Sequence, residues 1–164
     1  MSGTATREAA ARVIAACRAR GLKVATAESC TGGLVAGALT DIPGSSDVLD
    51  RGFVTYSNAA KVSMIGVPPE VLDAYGAVSR QTAEAMAQGA LAHSETDLAV
   101  AITGIAGPGG GTPQKPVGLV HFAAAARTGQ RLHHERRYGD IGRDEIRRRS
   151  VLEALEMLES LAPP

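Results

Sequence analysis

The sequence predicts a single layered α/β/α domain on a mixed, mainly parallel sheet that ends in a late antiparallel hairpin. Three observations carry this. Apolar residues recur at helical spacing in segments at both ends of the chain, short apolar runs alternate with helical patterns between them, and Arg127-Thr128-Gly129-Gln130 separates two late strand patterns as a hairpin turn does. Helical crossovers favour parallel pairing, whereas strands joined by a hairpin must be antiparallel. At 164 residues and 45% hydrophobic content the chain is sized for one domain, expected over 1–164.

The elements follow in order. From Thr4 to Arg20, Ala10, Val13, Ile14 and Cys17 recur at i, i+3, i+4 and i+7, and Gly21 supplies a left-handed stop. Leu22–Ala27 reads as a strand, and Glu28-Ser29-Cys30-Thr31-Gly32-Gly33 then opens a helix, Leu34–Thr40, ended by Ile42-Pro43-Gly44. Gly52–Ser57 reads as a second strand and Asn58–Ile65 as a helix broken by Gly66 and Pro68-Pro69, with one more turn at Glu70–Ala74. Ser79 is placed to cap an Ala-rich helix running to Ala92. Asp97–Thr103 is almost unbroken apolar and fits a strand buried on both faces. Val117–Ala126 and Arg131–Tyr138 form the hairpin, and Asp144–Leu161 closes the chain as a helix using Ile146, Leu155, Leu158 and Leu161.

Composition excludes several functions. Seventeen basic residues balance seventeen acidic ones and aromatics are 3%, which argues against nucleic acid or anionic membrane as a partner. Cys17 and Cys30 form no Cys-x-x-Cys or Cys/His cluster, and no His-Glu-x-x-His or paired-carboxylate motif occurs, so neither a disulfide framework nor a metal site is expected. No run approaches 18 apolar residues and Met1–Ala11 lacks an apolar signal core, which places the chain in the cytoplasm.

Ser29 stands where a strand meets a helix, beside backbone N–H groups that can stabilise an oxyanion; the same cluster can equally be a plain helix cap. Cys30 is either a rival nucleophile or a small buried apolar side chain. His93, His121, His133 and His134 are poorly placed to serve as a base, and adjacent His133 and His134 would face opposite sides of a strand. Lys61, one helical turn past Tyr56 and Asn58, is the alternative base if burial lowers its pKa; otherwise it faces solvent. The thirteen residues Gly104–Pro116 contain five Gly and three Pro after a buried strand, yet fail both the Walker and the Rossmann signatures. They read as a phosphate cradle or a surface loop. Arg143 is a plausible anion clamp, while Arg147-Arg148-Arg149 reads mostly as a solvated helix face.

Ala27-Glu28-Ser29-Cys30-Thr31-Gly32-Gly33, Tyr56-Ser57-Asn58-x-x-Lys61, Gly76-Ala77-Val78-Ser79, Ala101-Ile102-Thr103-Gly104-Ile105-Ala106-Gly107-Pro108 and Lys115-Pro116-Val117-Gly118 together resemble the C-terminal domain of the CinA family. The likeness spans roughly residues 8 to 160. It implies a stand-alone nicotinamide-nucleotide amidase that turns nicotinamide mononucleotide into nicotinic acid mononucleotide and ammonia without metal or cofactor. On that resemblance Ser29 is the nucleophile, Lys61 the general base and Tyr56 a positioning or proton-relay hydroxyl. The amides of Cys30, Thr31, Gly32 and Gly33 would hold the oxyanion. Thr103, Gly104 and Gly107 would bind substrate, with Asn58 and Arg143 as polar and phosphate contacts. The block from Tyr138 to Arg147 departs from the family pattern, with Tyr138 in place of Phe and an Ile141-Gly142 irregularity before Arg143.

The resemblance also implies a homo-oligomer, dimer or higher. The rival reading is a non-catalytic nucleotide-binding or regulatory module linked to competence or DNA-damage responses. A dead enzyme would lack Ser29 or Lys61, and this chain has both.

Overall fold

The structure, a computed structural model, describes residues 3–162. The expectation of one domain over 1–164 includes Met1, Ser2, Pro163 and Pro164, which lie outside the described residues. The element order is α1 (Thr4–Arg20), β1 (Val24–Glu28), α2 (Leu34–Thr40), a 3-10 turn (Ser45–Asp47), β2 (Leu49–Val54), α3 (Asn58–Ile65) and α4 (Pro69–Tyr75). Then come α5 (Arg80–Ala92), β3 (Leu98–Gly104), β4 (Leu119–Ala126), β5 (Arg131–Arg137) and α6 (Arg143–Leu161). The five strands form one sheet in the order β2-β1-β3-β4-β5. β1 pairs parallel with β2 and β3, and β4 pairs antiparallel with both β3 and β5, so every strand but β4 points the same way.

Alternation along the strands sorts large from small side chains. Val24, Leu98, Val100, Ile102, Val120 and Phe122 face α1, α2 and α6 in one core. The opposite face of β1, β3 and β4 is mostly alanine, with Ala25, Ala27, Ala99, Ala101, Ala123 and Ala125, and Thr103 and His121 follow at one end. Methyl-sized side chains there let α5 settle against the sheet through Ala83, Met86, Ala87 and Ala90. Both layers of an α/β/α sandwich are thus present, with few aromatics in either.

Most predicted elements stand within a residue or two. The second strand differs, running Leu49–Val54 instead of Gly52–Ser57. After Val54 only the Thr55 N–H still bonds β1, because the next polar groups are used elsewhere: the Thr55 and Tyr56 carbonyls accept from Lys61, and Ser57 caps α3 by accepting from the Ala60 N–H at 3.0 Å. The first strand runs on through Glu28, buried because its carboxylate accepts from the Val35 and Ala36 N–H groups at the start of α2. Ser79 caps α5 as expected, its Oγ accepting from the Thr82 N–H at 3.1 Å. His133 and His134 do face opposite sides: His133 shares a hydrogen bond with His121, and His134 bonds Glu153 of α6. Among the described residues no helix is long and apolar enough to cross a membrane.

The register carries the consequence for function. Glu28 lies opposite both Val54 and Ile102, so the chain leaves β1 and β2 at one level while β3 runs two residues further to Gly104. Ser29 and Thr55 extend that ladder, the Ser29 N–H donating to Ile102 C=O and the Thr55 N–H to Glu28 C=O. Ligands of open α/β sheets bind at such carboxyl ends of parallel strands.

Close α5 packing yields a test. Gly89 sits in the last turn of α5, where helix propensity alone favours Ala by up to about 1 kcal/mol. A Cβ at Gly89 would overlap the Ile65 carbonyl oxygen at the end of α3. Gly89→Ala is therefore expected to destabilise by roughly 1–3 kcal/mol through overpacking, read as a lowered Tm. A raised Tm would contradict the packing described.

Candidate active site

Ser29 begins the turn that joins β1 to α2. Gly32 and Gly33 take φ of 57° and 103°, a left-handed backbone that side-chain-bearing residues rarely adopt, and this turn reverses the chain into the helix. Within it the Gly32 N–H donates to the Ser29 carbonyl at 3.0 Å and the Leu34 N–H to the Thr31 carbonyl at 3.0 Å. Glu28 secures the far side. Its carboxylate, 1% exposed, accepts from the Val35 N–H (2.9 Å) and the Ala36 N–H (3.0 Å), filling the N-terminus of α2 with the protein's own anion.

Lys61 enters from α3, one turn beyond its cap. The side chain is 1% exposed, and Nζ lies 3.0 Å from Ser29 Oγ, 2.9 Å from the Thr55 carbonyl and 3.3 Å from the Tyr56 carbonyl. Burial lowers its pKa below the usual lysine value. A neutral amine has two N–H bonds and one lone pair. In the structure Nζ donates to both carbonyls and to Ser29 Oγ, and Ser29 Oγ donates to the Tyr56 carbonyl at 3.4 Å; once deprotonated, the amine can keep both carbonyls and turn its lone pair to the Ser29 proton. The solvent-facing alternative for Lys61 is excluded by its burial.

Ser29, Tyr56, Asn58, Lys61, Thr103, Gly104, Gly107 and Arg143 all line one cavity of about 280 Å³. That is near the lower end of the roughly 300–1,000 Å³ usual for small-molecule sites. A larger cleft, about 470 Å³, lies between α1, α2 and α6 and contains neither Ser29 nor Lys61. Ala77 and Val78 from the α4–α5 connection complete one wall of the smaller cavity. Among the described residues, no three His, Cys, Asp or Glu side chains group as metal ligands.

Individual roles shift once the contacts are visible. Tyr56 touches Ser29 and Lys61 through its backbone carbonyl, while its side chain, 59% exposed, carries its hydroxyl to Arg143 Nη2 at 3.0 Å. The Thr103 hydroxyl donates to the Ala77 carbonyl at 2.8 Å, so it anchors the wall. Gly107 has φ 77° and its backbone lies so near Val117 that a Cβ would come within 2.6 Å of Cγ1; its carbonyl accepts from Arg143 Nη1 at 2.7 Å. Of the four proposed oxyanion amides, that of Gly32 is used inside the turn; no backbone carbonyl takes those of Cys30, Thr31 or Gly33. Cys30 is buried and its thiol is pushed up to about 12, chiefly by burial, which keeps it protonated and removes the rival nucleophile.

Two contributors went unassigned in the sequence. Glu28 stands inside the Ala27–Gly33 block, and an acid just before a helix start is the signal that could have marked it. Arg147 was grouped with a solvated run, yet its Nε donates to the Cys30 carbonyl at 3.1 Å while Arg148 and Arg149 pair with Glu145. No local pattern announces a contact across 117 residues.

The same architecture recurs in known proteins. A crystal structure of a competence/damage inducible protein from Agrobacterium tumefaciens is 61% identical, with a TM-score of 0.98 over 99% of both chains. A CinA superfamily protein from Escherichia coli is 32% identical at a TM-score of 0.88, covering 98% of this chain and 94% of its own. A CinA-like protein from Anaeromyxobacter sp. strain K is 52% identical over 146 residues, 89% of this chain but 35% of that protein. Another from Akkermansia muciniphila is 61% identical over 109 residues, 66% of this chain and 26% of the longer one. The chain therefore spans about a third or less of these curated relatives. Residues 6–162, which hold every element from β1 to β5 and the whole Ser29–Lys61 cavity, match the CinA C-terminal domain, and the chain belongs to that family.

Proposed function

We propose that this chain is an amidohydrolase that deamidates nicotinamide mononucleotide through a Ser29 acyl-enzyme. The observation that carries the reading is the 3.0 Å approach of a buried Lys61 Nζ to Ser29 Oγ. The substrate comes from the family resemblance, and Arg143 at the cavity edge offers a cation for a phosphate.

In the first half-reaction neutral Lys61 takes the Ser29 proton as Oγ bonds to the carboxamide carbon. The Cys30 amide, at the cavity wall and taken by no backbone carbonyl, receives the resulting oxyanion. Lys61 returns the proton to the nitrogen, the C–N bond breaks and ammonia leaves. In the second half-reaction Lys61 takes a proton from water, hydroxide attacks the ester, and the proton returns to Ser29 Oγ as the nucleotide acid departs. Every proton stays between Lys61, Ser29 and the reacting group, so the scheme uses no metal. The departures near Tyr138 and Ile141 leave Arg143 facing the cavity, compatible with a phosphate contact.

Ammonia release from nicotinamide mononucleotide by the purified protein tests the reading. Wild type is expected to turn over equally with and without a chelator, while Ser29→Ala and Lys61→Ala each lose activity by about 10²–10⁴-fold or more. Silence of wild type on this substrate, with the nucleotide still bound, would favour the binding-module alternative.

The pH profile is a separate check. Lys61 acts as a base only when neutral, and protonation below its pKa removes the lone pair. Because burial lowers that pKa, kcat/KM is expected to rise with pH along a limb centred below the ordinary lysine value of about 10.4 and then level off. Lys61→Arg, charged throughout, should remain inactive across the range. An acid limb absent from wild type, or retained in Lys61→Arg, would rule Lys61 out as the base.

A further inference from the structure

Backbone accounting around Ser29 assigns a task to Arg147. Across a trans peptide the C=O and N–H point opposite ways, so whatever grips a carbonyl also aims the amide behind it. The Cys30 amide shares its peptide with the Ser29 carbonyl, which the Gly32 N–H holds at 3.0 Å. The Thr31 amide shares its peptide with the Cys30 carbonyl, which Arg147 Nε holds at 3.1 Å. Arg147 Nη2 also reaches the Thr31 carbonyl at 3.5 Å. Among the described residues, no backbone carbonyl accepts from either amide.

We propose that Arg147 is a positioning residue for the Ser29 reaction, holding the Cys30 carbonyl so that the Ser29 turn, and with it the Cys30 N–H at the cavity wall, stays aimed at the oxyanion. The proposal rests on the amidase reading of the same site. A guanidinium on the carbonyl oxygen makes a charge-assisted hydrogen bond that holds the turn more firmly than a neutral donor would. The α2 N-terminus, ordinarily the place to put an anion, offers little help, because Glu28 already occupies the Val35 and Ala36 amides. Stabilisation must come from the turn itself. Arg147 reaches that turn from α6, whose Ile146, Ser150 and Val151 are buried, so the guanidinium is delivered by a packed helix.

A small fluorophosphonate tests this without the nucleotide. Ser29 Oγ bonds to phosphorus, fluoride leaves, Lys61 takes the proton, and intact mass follows the adduct. Arg147→Met is expected to slow labelling roughly 10–100-fold, less than the 10²–10³-fold cost of deleting an oxyanion donor outright, and Arg147→Lys to lose less. The acid limb of labelling should stay in place, because Lys61 is untouched. With nicotinamide mononucleotide, kcat should fall by a similar factor while KM holds within about twofold. If Arg147→Met fails to fold, Arg147→Lys carries the test, with a loss of about 3–10-fold on kcat alone. Wild-type labelling rates in the folded variants, or a loss appearing in KM or in a displaced acid limb, would overturn the proposal. A wild type unlabelled at Ser29 would refute the amidase reading and this proposal with it. A wild type labelled at Ser29 but silent on the nucleotide would refute only the substrate, and the labelling comparison would still decide the role of Arg147.

Discussion

Lys61 Nζ is removed from water and surrounded by Ser29 Oγ and the Thr55 and Tyr56 carbonyls, and the local architecture is arranged around that amine. Burying an ammonium without a counter-charge is costly, so burial lowers the Lys61 pKa below the usual lysine value. Supplying its partners dictates where elements stop. β2 must end at Val54 for the next two carbonyls to turn inward, and α3 must start at Asn58 for Lys61 to fall one turn in. β1 must deliver Ser29 at the same level, which the Glu28–Val54 and Glu28–Ile102 register achieves.

The two cores divide the remaining work. Larger aliphatics and Phe122 join α1, α2 and α6 to one face, and α6 carries Arg147 to the Ser29 turn. The alanine face brings α5 close and fixes Ser79, whose capping role holds the Ala77–Val78 wall opposite. Thr103 ties that wall to the end of β3 through the Ala77 carbonyl. Glycine-rich Gly104–Gly110 can then approach the cavity because its closest neighbours, Val117 and Val120, leave no room for a Cβ at Gly104 or Gly107.

Much of this was legible in the chain. Helical periodicity located α1 and α6, the breakers Gly66 and Pro68-Pro69 bounded α3, and the Ser79 cap with its alanine-rich run marked α5. Ser29, Lys61, Tyr56, Asn58 and Arg143 were all named from the sequence, and they share one cavity. The parts that escaped are those whose signal is not local. Which carbonyl Lys61 would find depends on β2 ending early, and backbone carbonyls carry no residue identity. Arg147 looks no different from Arg148 in a run of three; only the fold turns one inward. Tyr56 meets Ser29 and Lys61 through its main-chain carbonyl and Arg143 through its hydroxyl, a division of labour that residue type does not announce.

The central claim is that Lys61 is held as a base beside Ser29. A side-chain NMR titration of Lys61, followed at Cε and Nζ and assigned by loss of the signal in Lys61→Arg, measures it directly. The account predicts a midpoint displaced below the ordinary lysine value of about 10.4, coinciding with the acid limb of Ser29 reactivity. A midpoint at or above that value, with Ser29 reactivity independent of it, would contradict the account.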